Sequence, residues 1–266
     1  MKPTLSELHL YPVKSCAPLP SASATVEKRG LIHDRRWMIV DADGKFVTGR
    51  QHARLPLLQA EPVAGGLRMS APGMPPVTVA EPADGARCAV NVWRDSIDAV
   101  AADSTASEWV SRFLGQPARL VFMDAAARRP VDPTYAQAED EVSFADGFPV
   151  LLISQAALDH LNARLATPIS ILRFRPNLVV DGTAPHAEDQ WRRVRIGEVE
   201  FDVVKPCTRC VFTTVDPARG ERDPSGEPLR TLTTYRRSPS GVTFGQNLIP
   251  RGSGVIHRGD AVHVLD

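Results

Sequence analysis

The chain has little cysteine. Four in 266 residues are too few for a disulfide scaffold, so the expectation is a cytoplasmic protein with free thiols. It has no excess of charge of either sign. Lysine plus arginine number 31 and aspartate plus glutamate 31, which gives no reason to expect nucleic acid or a membrane surface as partner. It has no long hydrophobic run. "FPVLLIS" (148–154) is strand-sized, well short of the roughly 20 residues of a spanning helix. The N-terminal "MKPTLSELHLYPVKSC" lacks the apolar core and cleavage site of a signal peptide. Internal repeats and low-complexity tracts are absent too. The remainder, 43% hydrophobic and 23% charged, is a globular chain long enough for one large or two ordinary domains.

Proline (23) and glycine (18) are scattered, and the apolar segments between them are short. "ATVEKRG", "RRWMIVDADGKFVTGR", "GGLRMSA" and "PVTVAE" read as strands joined by tight turns. Asp43-Gly44 is a hairpin signal, because glycine supplies the positive φ that the turn needs. "VRIGEVEFDVVK", "CVFTTVD", "GVTFGQNLI" and "AVHVLD" continue the pattern. Helical spacing is confined to 104–115, to 154–166 with Ser154 as N-cap, and to 227–237 with Pro228 in the first turn. The polar, proline-bearing stretch 123–143 reads as a linker. The fold class expected is mainly β (α+β): two β-rich, barrel-like domains, 1–120 and 121–266, with a few short helices.

"VVKPCTRCVFTTVDP" (203–217) holds Cys207 and Cys210 three apart. A structural zinc site needs about four ligands, and only one pair is present. A thioredoxin-type pair needs a helix after the second cysteine, whereas the β-branched residues after Cys210 read as a strand. Two readings stay open on spacing alone. The thiols are buried small hydrophobes, or Lys205 and Arg209 stabilise a thiolate that acts as nucleophile or soft-metal ligand. Other cationic clusters end strands: Lys14 and Ser15 in "YPVKSC", Arg35 and Arg36 in "HDRRW", and Arg173, Arg175 and Asn177 in "RFRPN". Converging, they would form a pocket for a phosphate-like anion, to which the helix start at Ser154 would add free N–H groups.

"LHLYPVKSC", "HDRRWMIV", "FPVLLISQAALDHLN", "RFRPNLVV", "VVKPCTRCVFTTVDP" and "FGQNLI", in this order, resemble MOSC-domain proteins with an N-terminal MOSC β-barrel domain. That group includes the amidoxime reducing component and bacterial reductases of N-hydroxylated compounds. The resemblance runs from about residue 5 to 265 and assigns 1–120 to the barrel domain and 121–266 to the MOSC domain. It implies a molybdenum cofactor (Mo-molybdopterin) with Cys210 as the protein ligand to the metal and Cys207 as its neighbour. It also implies that Lys14, Ser15, Arg35, Ser154, Arg175, Asn177, Thr208, Arg209 and Cys210 hold the pterin and its phosphate. The activity implied is reduction of hydroxylamines, amidoximes and N-hydroxylated bases by oxygen-atom abstraction. The alternative is a cofactor carrier or sulfur-transfer protein without reductase activity. Some relatives carry a four-cysteine ferredoxin domain that this chain's cysteines cannot build. The expected electron donor is therefore a separate flavoprotein, haem protein or iron–sulfur carrier.

Overall fold

The computed structural model describes residues 2–83 and 85–266. The expected class is observed: mainly β, with three short α-helices among the described residues. The largest sheet has nine strands. Its path runs Leu19–Pro20, Thr4–Leu10, Leu178–Asp181, Val150–Ser154, Gly241–Pro250, Val199–Thr208, Arg193–Ile196 and Val262–Val264, with Arg237–Ser238 pairing Gly241–Pro250. The N-terminal strand Thr4–Leu10 is antiparallel to Leu178–Asp181, so the first residues of the chain are built into the sheet of its second half.

The continuous apolar run "VLLIS" is explained by burial on both faces. Val150 and Leu152 pack with Leu5, Leu8 and Phe201 on one side. Leu151 and Ile153 pack with Leu158, Phe174 and Phe244 on the other. A four-stranded sheet of Trp37–Val40, Arg119–Phe122, Asp95–Ala101 and Arg87–Val92 divides its side chains in the same way. Trp37 and Ile39 meet Trp109 and Phe113 of the helix α1 (Ser104–Leu114), while Met38 and Val40 meet Val90, Ile97 and Phe144.

The structure corrects four local expectations. "VFTT" after Cys210 is a 3-10 turn, Val211–Thr214, not a strand. The hydroxyl of Thr213 donates to the Cys210 carbonyl at 2.9 Å and that of Thr214 to the Val211 carbonyl at 2.7 Å, and such local bonds outcompete a ladder. Helix α2 is Gln155–Asn162, shorter than 154–166, because the Asn162 side chain binds both the N–H and the carbonyl of Ile169 and turns the chain back. Helix α3 is Leu229–Tyr235, with Pro228 before its first turn rather than in it. The stretch 123–143 is no solvated tether. Met123, Ala127, Val131 and Val142 are buried, and the buried Arg129 donates to the carbonyls of Ser143, Ala145 and Asp146.

One irregularity positions the cysteines. Strands Val199–Thr208 and Gly241–Pro250 pair Pro206 with Gln246 but Thr208 with Thr243. The second strand thus carries an extra residue opposite Cys207, a bulge with Gly245 at φ 79°. A Cβ on Gly245 would lie 2.6 Å from Ile153 Cγ1 and 2.8 Å from the Leu152 carbonyl oxygen. Gly245→Ala is therefore expected to cost about 2–4 kcal/mol, roughly 5–10 °C in melting temperature. Gly226→Ala is the control, since Gly226 has a similar φ but open space around it. Equal melting shifts for the two variants would mean that the bulge does not depend on the close approach.

Candidate active site

The exit of the first strand, the loop before Trp37, the hairpin tip at Trp93, the loop 145–148, the turn 173–177 and the cysteine segment converge on one open cleft. Six cationic side chains line it (Lys14, Arg35, Arg50, Arg173, Arg175 and Arg209) against one carboxylate, Asp146. Of the six non-glycine residues with positive φ among those described, four line this cleft: Ser15, Arg35, Trp93 and Arg175. Such backbone is costly and persists only where the surroundings impose it. Arg175 also precedes a proline, which disfavours its conformation further.

A buried network holds the arginines. Asp34, 1% exposed, accepts from the Tyr11 N–H at 2.8 Å, from Asn177 Nδ2 at 3.1 Å and from Arg35 at 2.6 Å. Burial pushes the Asp34 carboxyl above the ordinary range, against the pull of Arg35 and the other donors. Arg35 donates further to Asn177 Oδ1 at 3.0 Å and to the Arg175 carbonyl at 3.2 Å. Arg175 donates to the Cys16 carbonyl at 2.6 Å. Both guanidinium groups lie 4.2 Å from the centre of the Tyr11 ring. Burial pushes the Tyr11 hydroxyl up to about 12, although Arg175 and Arg35 oppose it, so Tyr11 is a neutral spacer between cations.

Two donors in this region, Arg175 Nη2 and Arg209 Nε, are buried without a partner. Buried donors rarely stay unsatisfied, and their side chains line a cationic cleft, so an anionic ligand is the fitting acceptor. Lys14, 5% exposed, uses two of its three N–H groups on the Phe144 carbonyl and on Asp146, both at 2.7 Å. Burial lowers its pKa from 10.5 to about 8; Asp146 opposes the shift, and Arg129 and Arg35 add to it.

The two cysteines stand in different surroundings. Cys207 packs on the core beside Phe174 and Phe244, and its sulfur receives Arg209 at 2.7 Å. Cys210 lies two residues beyond the end of strand Val199–Thr208, immediately before the 3-10 turn, and lines the cleft. Lys205, expected to flank the thiols, instead lies over the rings of Tyr135 and Phe148. No cluster of three or more His, Cys, Asp or Glu occurs among the described residues, so a metal here would draw most of its ligands from something other than protein.

Of the residues singled out from sequence, Lys14, Ser15, Arg35, Arg175, Asn177, Thr208, Arg209 and Cys210 all line the cleft. Ser154 does not. Its fully buried hydroxyl donates to Glu188 at 2.7 Å and caps α2 by accepting from the Ala157 N–H, so it acts at the helix start and not on a ligand in the cleft. Asn177 is satisfied by protein partners at both ends of its amide, which makes it a brace for Arg35. Sequence reasoning left out Tyr11, Asp34, Asp146 and Trp93. Tyr11 and Asp34 stood inside the quoted motifs, whereas nothing local marked Asp146 or Trp93.

Comparison with known proteins agrees with this architecture. The MOSC N-terminal beta barrel domain matches residues 2–117, and the MOSC domain matches residues 139–263. Mitochondrial amidoxime-reducing component 1 of Xenopus laevis is 34% identical over 97% of this chain and 81% of its own length. The human protein of the same name is 34% identical over 98% and 83%. The molybdenum cofactor sulfurase of Drosophila grimshawi is 32% identical over 92% of this chain but 32% of its own length. Among the described residues no helix is long and apolar enough to cross a membrane. With near full-length matches of this kind, the chain belongs to the family of MOSC-domain proteins with an N-terminal MOSC β-barrel domain, the family of the amidoxime-reducing components.

Proposed function

We propose that this chain is a cytoplasmic, molybdenum-cofactor-dependent oxidoreductase that reduces N-hydroxylated compounds, made of sequence modules 1–120 and 121–266. The observation that carries the reading is a cysteine lining a cationic cleft whose arginines keep unpartnered donors. When bound, the cofactor supplies two-electron removal of oxygen from an N–O bond. The balance is an N-hydroxy compound plus two electrons and two protons giving the amine-type product and water, the electrons arriving from a separate protein.

The chain's own part is to bind and orient. The Cys210 thiolate is the protein ligand, and a soft thiolate suits such a metal. Arg35, Arg175 and Arg209, with the third N–H of Lys14, hold the pterin phosphate, and Ser15 and Thr208 offer hydroxyls at the same wall. Cys207, engaged by Arg209 and packed on the core, keeps that guanidinium in place. Asn177 braces, and Ser154 is outside the set.

The sulfurase relative favours a second reading, a carrier or sulfur-transfer protein with no reductase activity of its own. Turnover of an N-hydroxy compound with a reduced dye decides between the two.

Protein from a host that makes the cofactor should contain near-stoichiometric molybdenum. Cys210→Ser should lose reductase activity altogether, and Cys207→Ser should keep much of it. Equal loss from both would sink the single-ligand assignment and point to a dithiol mechanism.

The Lys14 shift gives a second test, with opposite signs for binding and stability. As pH rises through about 8, the cleft loses one positive charge, so affinity for inorganic phosphate in cofactor-free protein should fall several-fold by pH 9.5. Stability moves the other way from this group. Between about 8 and 10.5 the unfolded lysine binds more protons than the folded one, so stability rises with pH. Lys14→Met should flatten both trends. A phosphate affinity with the same pH dependence in Lys14→Met would remove Lys14 from the anion site.

A further inference from the structure

Trp93 is placed at a cost that the fold does not explain. It is the first of the two residues, Trp93 and Arg94, that join strands Arg87–Val92 and Asp95–Ala101, with Val92 paired to Asp95. Its φ is +55°, and Arg94 has no positive φ. A positive φ at the first loop position alone is the pattern of a type II′ turn, where glycine is the favoured residue. A bulky aromatic side chain there is a conformational outlier. Nor does the ring gain burial in exchange. Trp37 and Trp109 are 3% and 6% exposed, whereas Trp93, which lines the cleft, is 44% exposed.

The ring is nonetheless fixed in place. The indole N–H donates to Asp146 Oδ1 at 3.3 Å, the same oxygen that receives Lys14. The Phe46 ring meets it edge-on at 4.9 Å, and Phe46 is held there by its own N–H donating to the Asn91 carbonyl. The Arg50 guanidinium lies 4.4 Å from the ring centre. A strained backbone, a half-exposed ring and an indole N–H anchored on Asp146, with Arg50 against the ring, together make a preorganised stacking platform.

We propose that Trp93 is a specificity-determining residue of the cleft, the platform on which the planar, conjugated part of a substrate stacks, so that such substrates are selected over aliphatic ones with the same reacting group. The proposal rests on the reductase reading above and deepens it. Benzamidoxime and acetamidoxime share the N–OH group and differ in ring against methyl, so the ratio of their kcat/KM values isolates the platform.

In the cofactor-loaded enzyme the ratio should favour benzamidoxime. It should drop about tenfold in Trp93→Gly, the scale of one aromatic stacking contact, and the drop should lie in KM. Trp93→Phe should recover most of it. The melting temperature of Trp93→Gly should not fall, because glycine suits the turn. A ratio unchanged in Trp93→Gly, or a parallel loss for both substrates, overturns the proposal. Should neither compound turn over, the reductase reading fails, and calorimetric binding of benzoate against acetate, whose charge suits the cationic cleft, still decides on Trp93. A preference for benzoate that is lost in Trp93→Gly upholds the platform; no preference in the unaltered protein overturns it.

Discussion

Crowding of positive charge is the constraint on which the rest of the site depends. Arg35 and Arg175 stand at the same distance from one tyrosine ring, and Lys14 and Arg209 line the same cleft. Left to themselves, such groups would repel one another and turn to water. Here each is tied to an acceptor that cannot move away: Asp34, the Asn177 amide, and the carbonyls of Cys16, Phe144, Phe174 and Arg175. Backbone carbonyls supply only partial negative charge, so the cluster is held together without being neutralised. That residual charge suits the cleft to an anion, while burial above all, with a smaller push from Arg129 and Arg35, brings the Lys14 pKa down to about 8.

The backbone irregularities follow from the same requirement. Side chains from distant segments must point into one space, and regular strands alternate their side chains to opposite faces. The fold meets this with left-handed residues at Ser15, Arg35 and Arg175 and with a bulge opposite Cys207. Each re-aims a side chain that a regular geometry would send elsewhere. The Asp34 carboxylate then locks the arrangement, because its donors come from residues 11, 35 and 177, two of them in the first half of the chain and one in the second.

Much of this was legible in the sequence because chemistry-bearing residues cluster at strand ends. "YPVKSC", "HDRRW", "RFRPN" and "PCTRC" each contribute side chains to the cleft, and their charges alone pointed to an anion pocket. Ser154 was misplaced for an instructive reason. Its capping geometry was read correctly, but a cap can face inward, and here the hydroxyl is spent on Glu188. The polar stretch 123–143 misled in the opposite sense. Arg129 looks like solvated surface in sequence, yet it is buried and grips the loop that carries Asp146. Composition reports the polarity of a segment; it does not report where that segment's hydrogen-bond partners lie.

The two cysteines show how far a spacing can carry chemistry. Residues three apart on a regular strand face opposite sides, so one thiol would meet the cleft and the other the far face. The irregular pairing around Cys207 and the 3-10 turn that Thr213 and Thr214 close onto Cys210 and Val211 break that alternation, and both cysteines reach the cleft. They are not thereby equivalent. Cys207 has the core behind it and a guanidinium on its sulfur, so its surroundings already account for it. Cys210 lies past the end of the ladder at Thr208, and no hydrogen bond described in the structure engages its sulfur. In the function proposed above, it is this thiol, in a cationic cleft and without such a bond, that serves as the ligand. The asymmetry between the pair comes from the bulge and the threonine turn, neither of which the Cys-x-x-Cys spacing reveals.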